Sequence, residues 1–227
     1  MQVIILSGGL GTRLRPYTYN VPKSMILIKG KPFLEYQIDL LKKNGLKNIL
    51  ICGGFLSEQI RDYFNDGDKW GVNISYSFEK NLLGTGGALK NAKSYLEDNF
   101  LLLNGDTFLD INYQDAINNF WEVKKTAMMV VYKNSPKIMS NNVEINKKKE
   151  VINYNKRKEC EANCVDAGVQ IFRKKMIDLI SSDRKVSLEE EIFPVLIQKE
   201  ELSAYPTAQT FYDIGTFERL EKIKRIL

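Results

Sequence analysis

The chain has 227 residues, of which 44% are hydrophobic and 27% are charged, and its 33 basic and 28 acidic side chains give a net charge of +5. This composition excludes an intrinsically disordered chain, and the length predicts one domain over residues 1–227. The charges are spread along the sequence, which favours a general preference for anions over a nucleic-acid-binding stripe. Histidine is absent, so histidine-dependent triads, histidine zinc sites and imidazole acid–base catalysis are excluded.

The cysteines and the first residues predict a cytoplasmic protein. Cys52, Cys160 and Cys164 are few and odd in number, which favours a reducing compartment over a disulfide framework. No further cysteine or histidine accompanies the last two, so we interpret them as incidental thiols rather than zinc ligands. The apolar run at the N-terminus is too short for a signal peptide or a membrane span.

Short apolar runs alternate with helical periodicity over the first 132 residues. Apolar runs predict strands at residues 2–6, 48–52, 72–78, 100–103 and 127–132. Between them, the spacing of apolar side chains predicts helices at residues 33–44, 57–64, 86–96 and 113–123. This alternation predicts an α/β fold in which helices cover both faces of a mostly parallel sheet.

The pattern changes after Tyr132. Strands are predicted near residues 143–145, 151–154 and 165–172, and this region is expected to form an antiparallel hairpin or flap beside the main sheet. The segment from Ser187 to Glu190 is typical of a capping box that starts a helix. A last helix is predicted to begin near Thr216 and to bury four side chains, Phe217, Leu220, Ile223 and Ile226.

The first motif, residues 6–16, follows the first predicted strand and contains Gly8, Gly9 and Gly11. Glycines allow backbone N–H groups to converge on an anion, and Arg13 and Arg15 add guanidinium groups suited to phosphate oxygens. The spacing matches neither a dinucleotide fingerprint nor a Walker A loop, so we interpret it as a phosphate loop of another kind. Shortly afterwards, the Pro22-Lys23 pair is placed to bring an ammonium group to the same anion.

Four further motifs follow, and the one at Asp106 lies at a strand end of the kind where open α/β sheets bind ligands. Residues 83–89 carry three glycines before a helix and form either a base-recognition loop or a plain helix-start turn. Asp106 follows an apolar strand and Asp213 precedes the last helix. Together they are candidates to hold one Mg²⁺ ion, although each also fits a structural role such as a helix cap. Residues 153–156 and 166–168 either line a second, sugar-sized pocket or lie on plain surface.

In this order, the motifs resemble the sugar-1-phosphate nucleotidyltransferases, or NDP-sugar pyrophosphorylases. The resemblance covers nearly the whole chain and rests on residues 8–14 with Pro22-Lys23, 83–88, 104–106 and 213–216. Within the family, the chain looks most similar to the short bacterial guanylyltransferases for heptose 1-phosphate or mannose 1-phosphate. The resemblance implies a Rossmann-like (GT-A-like) sheet with a small antiparallel flap, in a single nucleotidyltransferase domain.

The resemblance also implies a reaction. A phosphate oxygen of the sugar 1-phosphate attacks the α-phosphorus of a nucleoside triphosphate, pyrophosphate leaves, and an NDP-sugar for capsule, lipopolysaccharide or other surface glycans is formed. Because phosphate is already ionised at neutral pH, no general base is required, which suits a chain without histidine. Catalysis is then expected to come from positioning and charge neutralisation.

By matching motif positions, the resemblance implies roles for individual residues. Arg13 is expected to clamp the triphosphate, Lys23 to contact the phosphates near the reacting centre, and Asp106 and Asp213 to hold Mg²⁺. The other expected nucleotide contacts are Leu6, Ser7, Gly8, Gly9, Gly11, Thr12, Gly84, Thr85, Gly86 and Gly87. The expected acceptor contacts are Asn104, Lys156, Asp166 and Gly168.

Two positions depart from the family pattern and leave the acceptor open. Asn155-Lys156 stands where Glu-Lys is frequent, and residues 166–168 read Asp-Ala-Gly where Asn-Ala-Gly is frequent. The acceptor therefore ranges from a sugar 1-phosphate to a smaller phosphorylated compound. Two alternative functions are cytidylyl or uridylyl transfer to another phosphomonoester and a GT-A-type glycosyltransferase, although the D-x-D metal motif of the latter is missing at Asp106. The expected partners are small molecules, without nucleic acid or membrane, and a homodimer is left open.

Overall fold

The structure is a computed structural model that describes residues 1–135, 139–155, 162–182 and 184–227. In chain order its strands are β1 (Gln2–Ser7), β2 (Leu27–Ile28), β3 (Lys31–Pro32), β4 (Asn48–Gly53), β5 (Asn73–Phe78), β6 (Asn99–Asn104), β7 (Thr107–Phe108), β8 (Ala127–Tyr132), β9 (Val143–Ile145), β10 (Val151–Tyr154), β11 (Val165–Arg173), β12 (Leu202–Thr207) and β13 (Tyr212–Asp213). Its α-helices are α1 (Phe33–Lys43), α2 (Glu58–Phe64), α3 (Gly84–Asn91), α4 (Tyr113–Glu122), α5 (Phe193–Gln198) and α6 (Phe217–Lys224).

Seven strands form the main sheet, in the spatial order β12, β8, β11, β6, β1, β4, β5. Neighbours are parallel except at β11, which is antiparallel to both β6 and β8. The predicted mostly parallel sheet is therefore confirmed. The expectation that residues 165–172 belong to a flap beside the sheet was wrong, because this strand is inserted into its middle. Its nearly continuous burial is typical of a strand covered on both faces.

The predicted antiparallel flap is confirmed in a smaller form, made of β9 and β10 alone. A second short pair has more importance for the site, because it joins two distant motifs. In this pair β13 lies antiparallel to β7, with Asp213 opposite Thr107. The motif before the last helix is thereby held next to the end of β6.

Helices cover both faces of the sheet, as predicted. Along β1, Val3 and Ile5 pack into one apolar cluster with side chains of α1, α2 and α4. Ile4, which points to the opposite face, packs into a second cluster with side chains of α3 and α5. This alternation follows from the two-residue period of a strand. No helix in the described ranges is long and apolar enough to cross a lipid bilayer.

The predicted helix starts are mostly confirmed, and the differences lie at the ends. Ser187 caps a π-helical turn that leads into α5, and Thr216 caps α6. Within α6, Leu220 and Ile223 are buried as predicted, but Phe217 and Ile226 are exposed. Phe217 is the first residue of the helix and packs at the surface on the ring of Tyr17, and Ile226 lies beyond the last helical residue. The helix predicted at residues 86–96 is shorter, because α3 ends at Asn91.

Candidate active site

The candidate site lies at the edge of the sheet where the parallel strands end. The glycine loop, which contains Gly8, Gly9 and Gly11, follows β1. The neighbouring β6 ends at Asn104, and Gly105 and Asp106 come directly after it. The backbone N–H of Gly105 donates to the carbonyl oxygen of Leu6 at 2.9 Å. A Cβ at residue 105 would lie 2.7 Å from that oxygen, so glycine allows the two loops to approach this closely. Adjacent strands thereby bring the motif at residues 6–16 next to Asp106.

A cavity of about 240 Å³ lies between these loops, and we call it the glycine-loop cavity. Its lining residues are Ser7, Gly9, Gly11, Thr12, Arg13, Lys23, Ser24, Gly105 and Asp106. Lys23 lies in a 3₁₀ turn behind Pro22, and its ammonium group forms an ion pair with Asp106 Oδ2. Arg13 lies in the 3₁₀ turn Thr12–Leu14 and is exposed. Its guanidinium group makes no hydrogen bond or ion pair within the described part of the chain, so it is available to an anion.

A second cavity, of about 200 Å³, adjoins the first, and we call it the carboxylate cavity. Its lining residues are Arg13, Asn104, Asp106, Thr107, Asn142, Tyr154, Asp166, Gly168, Glu189, Phe211, Asp213 and Arg219. It brings Asp106 and Asp213 together, as their proposed shared role requires. Asp213 Oδ1 accepts the backbone N–H of Gly215 at 2.7 Å, and Oδ2 accepts Arg219 Nη1 at 2.8 Å.

The far side of the carboxylate cavity contains the residues expected to contact the acceptor. Asp166 Oδ1 accepts from the backbone N–H of Gly168 and from Gln170 Nε2, both at 2.9 Å. Its Oδ2 accepts the hydroxyl of Tyr154 at 3.2 Å. Burial and the neighbouring carboxylates of Asp166 and Glu189 raise the pKa of Tyr154, so this phenol stays protonated and donates. Lys156, the other expected acceptor contact, lies outside the described residues.

A third cavity, of about 210 Å³, lies on the other side of the glycine loop, and we call it the apolar cavity. Its lining residues are Leu6, Gly8, Gly9, Cys52, Glu79, Leu82, Gly84, Thr85, Ala88 and Lys185. Burial raises the pKa of the Cys52 thiol to about 12, so it remains a neutral, apolar part of the wall. The predicted contacts Leu6, Gly8, Gly9, Gly84 and Thr85 all lie here.

Sequence reasoning missed Glu79, which is the acidic side chain of the apolar cavity. Its Oε2 accepts the backbone N–H of Leu83 at 3.1 Å, and its Oε1 would lie 2.9 Å from a Cβ on Gly8. Burial raises the pKa of this carboxyl. The available signal was its position, five residues before Gly84, the first glycine of the motif at residues 83–89.

Gly86 and Gly87 do not line any of these three cavities. Their backbone N–H groups donate to the carbonyl oxygen of Val186 at 2.9 and 3.3 Å. A Cβ on Gly87 would lie 2.6 Å from Leu83 Cβ, so these glycines allow α3 to pack tightly. The hydroxyl of Thr85 donates to Glu189 Oε2 at 2.7 Å, which anchors the same turn.

Gly9 is shared by the apolar and glycine-loop cavities, and Arg13 and Asp106 are shared by the glycine-loop and carboxylate cavities. The three therefore form one cleft with an apolar end, a cationic middle and an acidic end. The described residues contain no cluster of three or more His, Cys, Asp or Glu side chains suited to a metal. Two carboxylates still fit Mg²⁺, which usually keeps water and takes phosphate oxygens alongside one or two protein carboxylates. This arrangement defines an enzyme that binds and transfers nucleotide phosphates.

Comparison with known proteins identifies the family. The model of the nucleotidyl transferase family matches residues 2–227. The chain is 33% identical, over 84% of each sequence, to a D-glycero-alpha-D-manno-heptose 1-phosphate guanylyltransferase of Campylobacter jejuni. It is 31% identical to a UTP–glucose-1-phosphate uridylyltransferase of Synechocystis, over 87% of this chain but only 55% of that relative.

A solved structure shows the same architecture. The crystal structure of HddC from Yersinia pseudotuberculosis complexed with GMP-PN superposes with a TM-score of 0.82, at 27% sequence identity, over 99% of this chain and 98% of that one. The chain therefore belongs to the nucleotidyl transferase family, and it is a nucleotidyltransferase. Enzymes of this family typically use a divalent metal ion.

Proposed function

We propose that the enzyme transfers a guanylyl group from GTP to a sugar 1-phosphate, of the heptose or mannose type, and releases pyrophosphate. The observation that supports this proposal most directly is the continuous cleft. It has a base-sized apolar end, a cationic middle and an acceptor-sized acidic end. In this order the cleft fits a nucleoside triphosphate and a second phosphorylated compound that meet at Asp106. The guanylyltransferase relative and the GMP-PN complex of the similar structure support the choice of nucleotide.

The middle of the cleft supplies the charge for the reaction. Arg13 is a free guanidinium whose planar set of donors suits the β- and γ-phosphates. Lys23, now paired with Asp106, lies where its ammonium group can neutralise charge on the α-phosphate as the bond to pyrophosphate breaks. The attacking oxygen is already an anion, so these residues orient and neutralise rather than move a proton.

Asp106 and Asp213 are proposed to hold the divalent ion, and we propose Mg²⁺. Their oxygens are hard ligands, and both side chains line the carboxylate cavity. When bound, the ion would act as a Lewis acid and offset the negative charge of the nucleotide phosphates. The backbone supports this arrangement, because the N–H of Ile214 donates to the carbonyl oxygen of Asp106 at 3.0 Å.

Glu79 supports guanine as the base. The six-membered ring of guanine presents two adjacent donors, N1–H and the exocyclic amino group, and a carboxylate can accept from both. Uracil offers one donor at this edge, so it pairs with only one carboxylate oxygen. Leu82 and Ala88, which line the same cavity, provide apolar surface for the flat ring.

The acidic end of the cleft suits a polyol. Asp166 is oriented by Tyr154 and Gln170, and a carboxylate held in this way can accept hydrogen bonds from sugar hydroxyls. Asn104 and Gly168 line the same cavity. Lys156 is proposed to contact the acceptor phosphate.

The proposed setting is the cytoplasm, where the product would serve as a precursor of surface glycans. The described thiols Cys52 and Cys164 are free and buried, which suits a reducing compartment. Residues 1–227 are proposed to act as one nucleotidyltransferase domain on small molecules, without nucleic acid or membrane. A homodimer stays open as the assembly.

A pyrophosphate-release screen tests the proposal. Four nucleoside triphosphates would be combined with a panel of sugar 1-phosphates and other phosphomonoesters, with and without Mg²⁺. We expect release from GTP with a heptose or mannose 1-phosphate, only when Mg²⁺ is present. Release from a different pairing would replace the proposed substrates, and no release from any pairing would contradict nucleotidyl transfer to these acceptors.

A further inference from the structure

Arg219 is a cation that the proposed mechanism does not use, and it lies on a candidate metal ligand. Its Nη1 donates to Asp213 Oδ2 at 2.8 Å in an ion pair. The other carboxylate oxygen is held by the backbone N–H of Gly215 at 2.7 Å. The oxygen of Asp213 that is not tied to the backbone is therefore covered by a positive charge. Because like charges repel, a divalent ion binds this carboxylate fully only after the guanidinium group has moved.

The ion pair between Arg219 and Asp213 is exposed enough for the arginine side chain to move away. The side chain of Asp213 is 17% exposed and that of Arg219 is 56% exposed. Water solvates an exposed guanidinium well, so such a pair adds little net stability and costs little to break. Asp213 is fixed by its place in β13 and by Gly215, whereas only the long side chain of Arg219 has to swing.

The place to which Arg219 can swing is the carboxylate cavity, which it already lines together with Arg13 and Asp106. The Cα of Arg219 is held in the first turn of α6, where its backbone N–H donates to Thr216 Oγ1 at 3.4 Å. A sugar 1-phosphate that enters this cavity brings a phosphate group carrying up to two negative charges. An arginine binds a phosphate well through two parallel N–H donors.

We propose that Arg219 shields Asp213 in the free enzyme and binds the phosphate of the acceptor once the divalent ion has engaged Asp213. The same guanidinium then opposes metal binding in the free enzyme and favours acceptor binding in the loaded one. This inference rests on the proposed function, because it requires an acceptor that carries a phosphate. Arg219 thereby sets the order of binding, in which the metal ion comes first and the acceptor second.

The test uses the variants Arg219→Gln and Arg219→Lys and two separate measurements. Mn²⁺ binding to the free enzyme, without nucleotide, is followed by electron paramagnetic resonance. Removal of one positive charge beside the site is expected to lower the Mn²⁺ dissociation constant about tenfold in Arg219→Gln. Arg219→Lys keeps the charge and should keep the wild-type constant.

Steady-state kinetics provide the second measurement. Arg219→Gln is expected to raise the KM for the sugar 1-phosphate about tenfold, since a charge-assisted pair of hydrogen bonds is lost, and to leave the KM for the nucleotide unchanged. Arg225→Gln is the matched control, because it makes the same chemical change at an exposed residue just beyond α6 that lines none of the three cavities. It should change neither quantity.

An unchanged Mn²⁺ dissociation constant or an unchanged acceptor KM in Arg219→Gln would overturn the inference. Equal effects of Arg225→Gln would also overturn it, because they would reflect net charge alone. The Mn²⁺ measurement needs no turnover, so it judges the shielding of Asp213 even if the substrates differ from those proposed. Failure of the wild-type enzyme in the pyrophosphate screen would instead count against the proposed function.

Discussion

At the scale of single residues, the charged side chains of the cleft differ in whether they have a partner within the chain. Lys23 and Asp106 are held by each other, and within the described residues Asp166 accepts hydrogen bonds from Tyr154, Gly168 and Gln170. Arg13 has no such partner in the described ranges, although it lies at the junction of two cavities. We therefore expect this cation to contribute to ligand binding rather than to folding.

Arg13→Ala is therefore expected to lower kcat by about 10²- to 10³-fold, because preorganised charge is lost at the reacting phosphates. The free energy of unfolding should change by no more than about 0.5 kcal/mol, as is usual for exposed residues. Steady-state kinetics and urea denaturation measure the two quantities. Arg15→Ala is the control, since Arg15 belongs to the same loop but stacks on Tyr19 outside the cleft. Equal losses of kcat in both variants would contradict the role of Arg13.

Glu79→Gln is expected to lower kcat/KM for GTP by about 10- to 100-fold, since one carboxylate acceptor is replaced by an amide donor that opposes guanine. The ratio of GTP to UTP turnover should fall with it, and competition assays measure this ratio. The Gln side chain still has an oxygen that can accept the N–H of Leu83, so the loop is preserved. An unchanged nucleotide preference would argue against base recognition by this carboxyl.

The stability of Glu79→Gln gives an independent check on its environment. Burial raises the pKa of Glu79 in the folded chain, so the folded state binds its proton more tightly than the unfolded state does. Stability is therefore lost as the pH rises through the range between the unfolded and the folded pKa. A neutral glutamine avoids this loss. At pH 7 the variant should be at least as stable as the wild type in urea denaturation.

At the scale of elements, β11 shows how a strand both completes the sheet and shapes the site. Its pairing with β8 shifts in register between Asp166 and Gln170. Gly168 lies within this irregularity with a φ of +73°, a left-handed conformation that glycine adopts without strain. The irregularity is where Asp166 and Gly168 meet the carboxylate cavity.

Gly168→Ala is expected to lower stability and to raise the KM for the acceptor. A Cβ at this position would lie 3.0 Å from Thr107 Oγ1 and 3.1 Å from Asn104 Nδ2, in addition to the strain of positive φ. Gly45→Ala is the matched control, because Gly45 has a φ of +75° but its Cβ would meet no atom within 4 Å. Gly45→Ala should cost about 1 kcal/mol from strain alone, and Gly168→Ala should cost more. Equal costs with an unchanged KM would contradict this account.

At the scale of the whole molecule, the two candidate metal ligands are each paired with a basic side chain. Asp106 is paired with Lys23 and Asp213 with Arg219, so neither carboxylate is left without a counter-charge. The core consists of two large apolar clusters on the two faces of the sheet, and neither cluster includes Asp106 or Asp213. We therefore expect the fold to be stable without a bound ion.

Chelation of divalent ions is expected to abolish turnover and to leave the midpoint of thermal unfolding unchanged. Addition of GTP with Mg²⁺ should raise that midpoint, because a ligand present at 100 times its Kd stabilises the folded state by about 2.7 kcal/mol. Calorimetry measures the midpoint with EDTA, without EDTA, and with GTP and Mg²⁺. The pyrophosphate-release assay measures turnover with and without EDTA. A lower midpoint after chelation alone would show that the ion is structural.

The resemblance of the motifs to a known family implied the class of reaction, and the sequence by itself determined the order of the motifs and the strands that precede them. These features are local, since apolar periods and glycine spacings depend on residues close together in the chain. Only the tertiary structure decided the pairing of Asp213 with Thr107 in β7, the antiparallel position of β11 inside the sheet, and the places of Glu79 and Arg219. They depend on contacts between residues far apart in the chain, which the packing of the two faces of the sheet selects and no local pattern encodes.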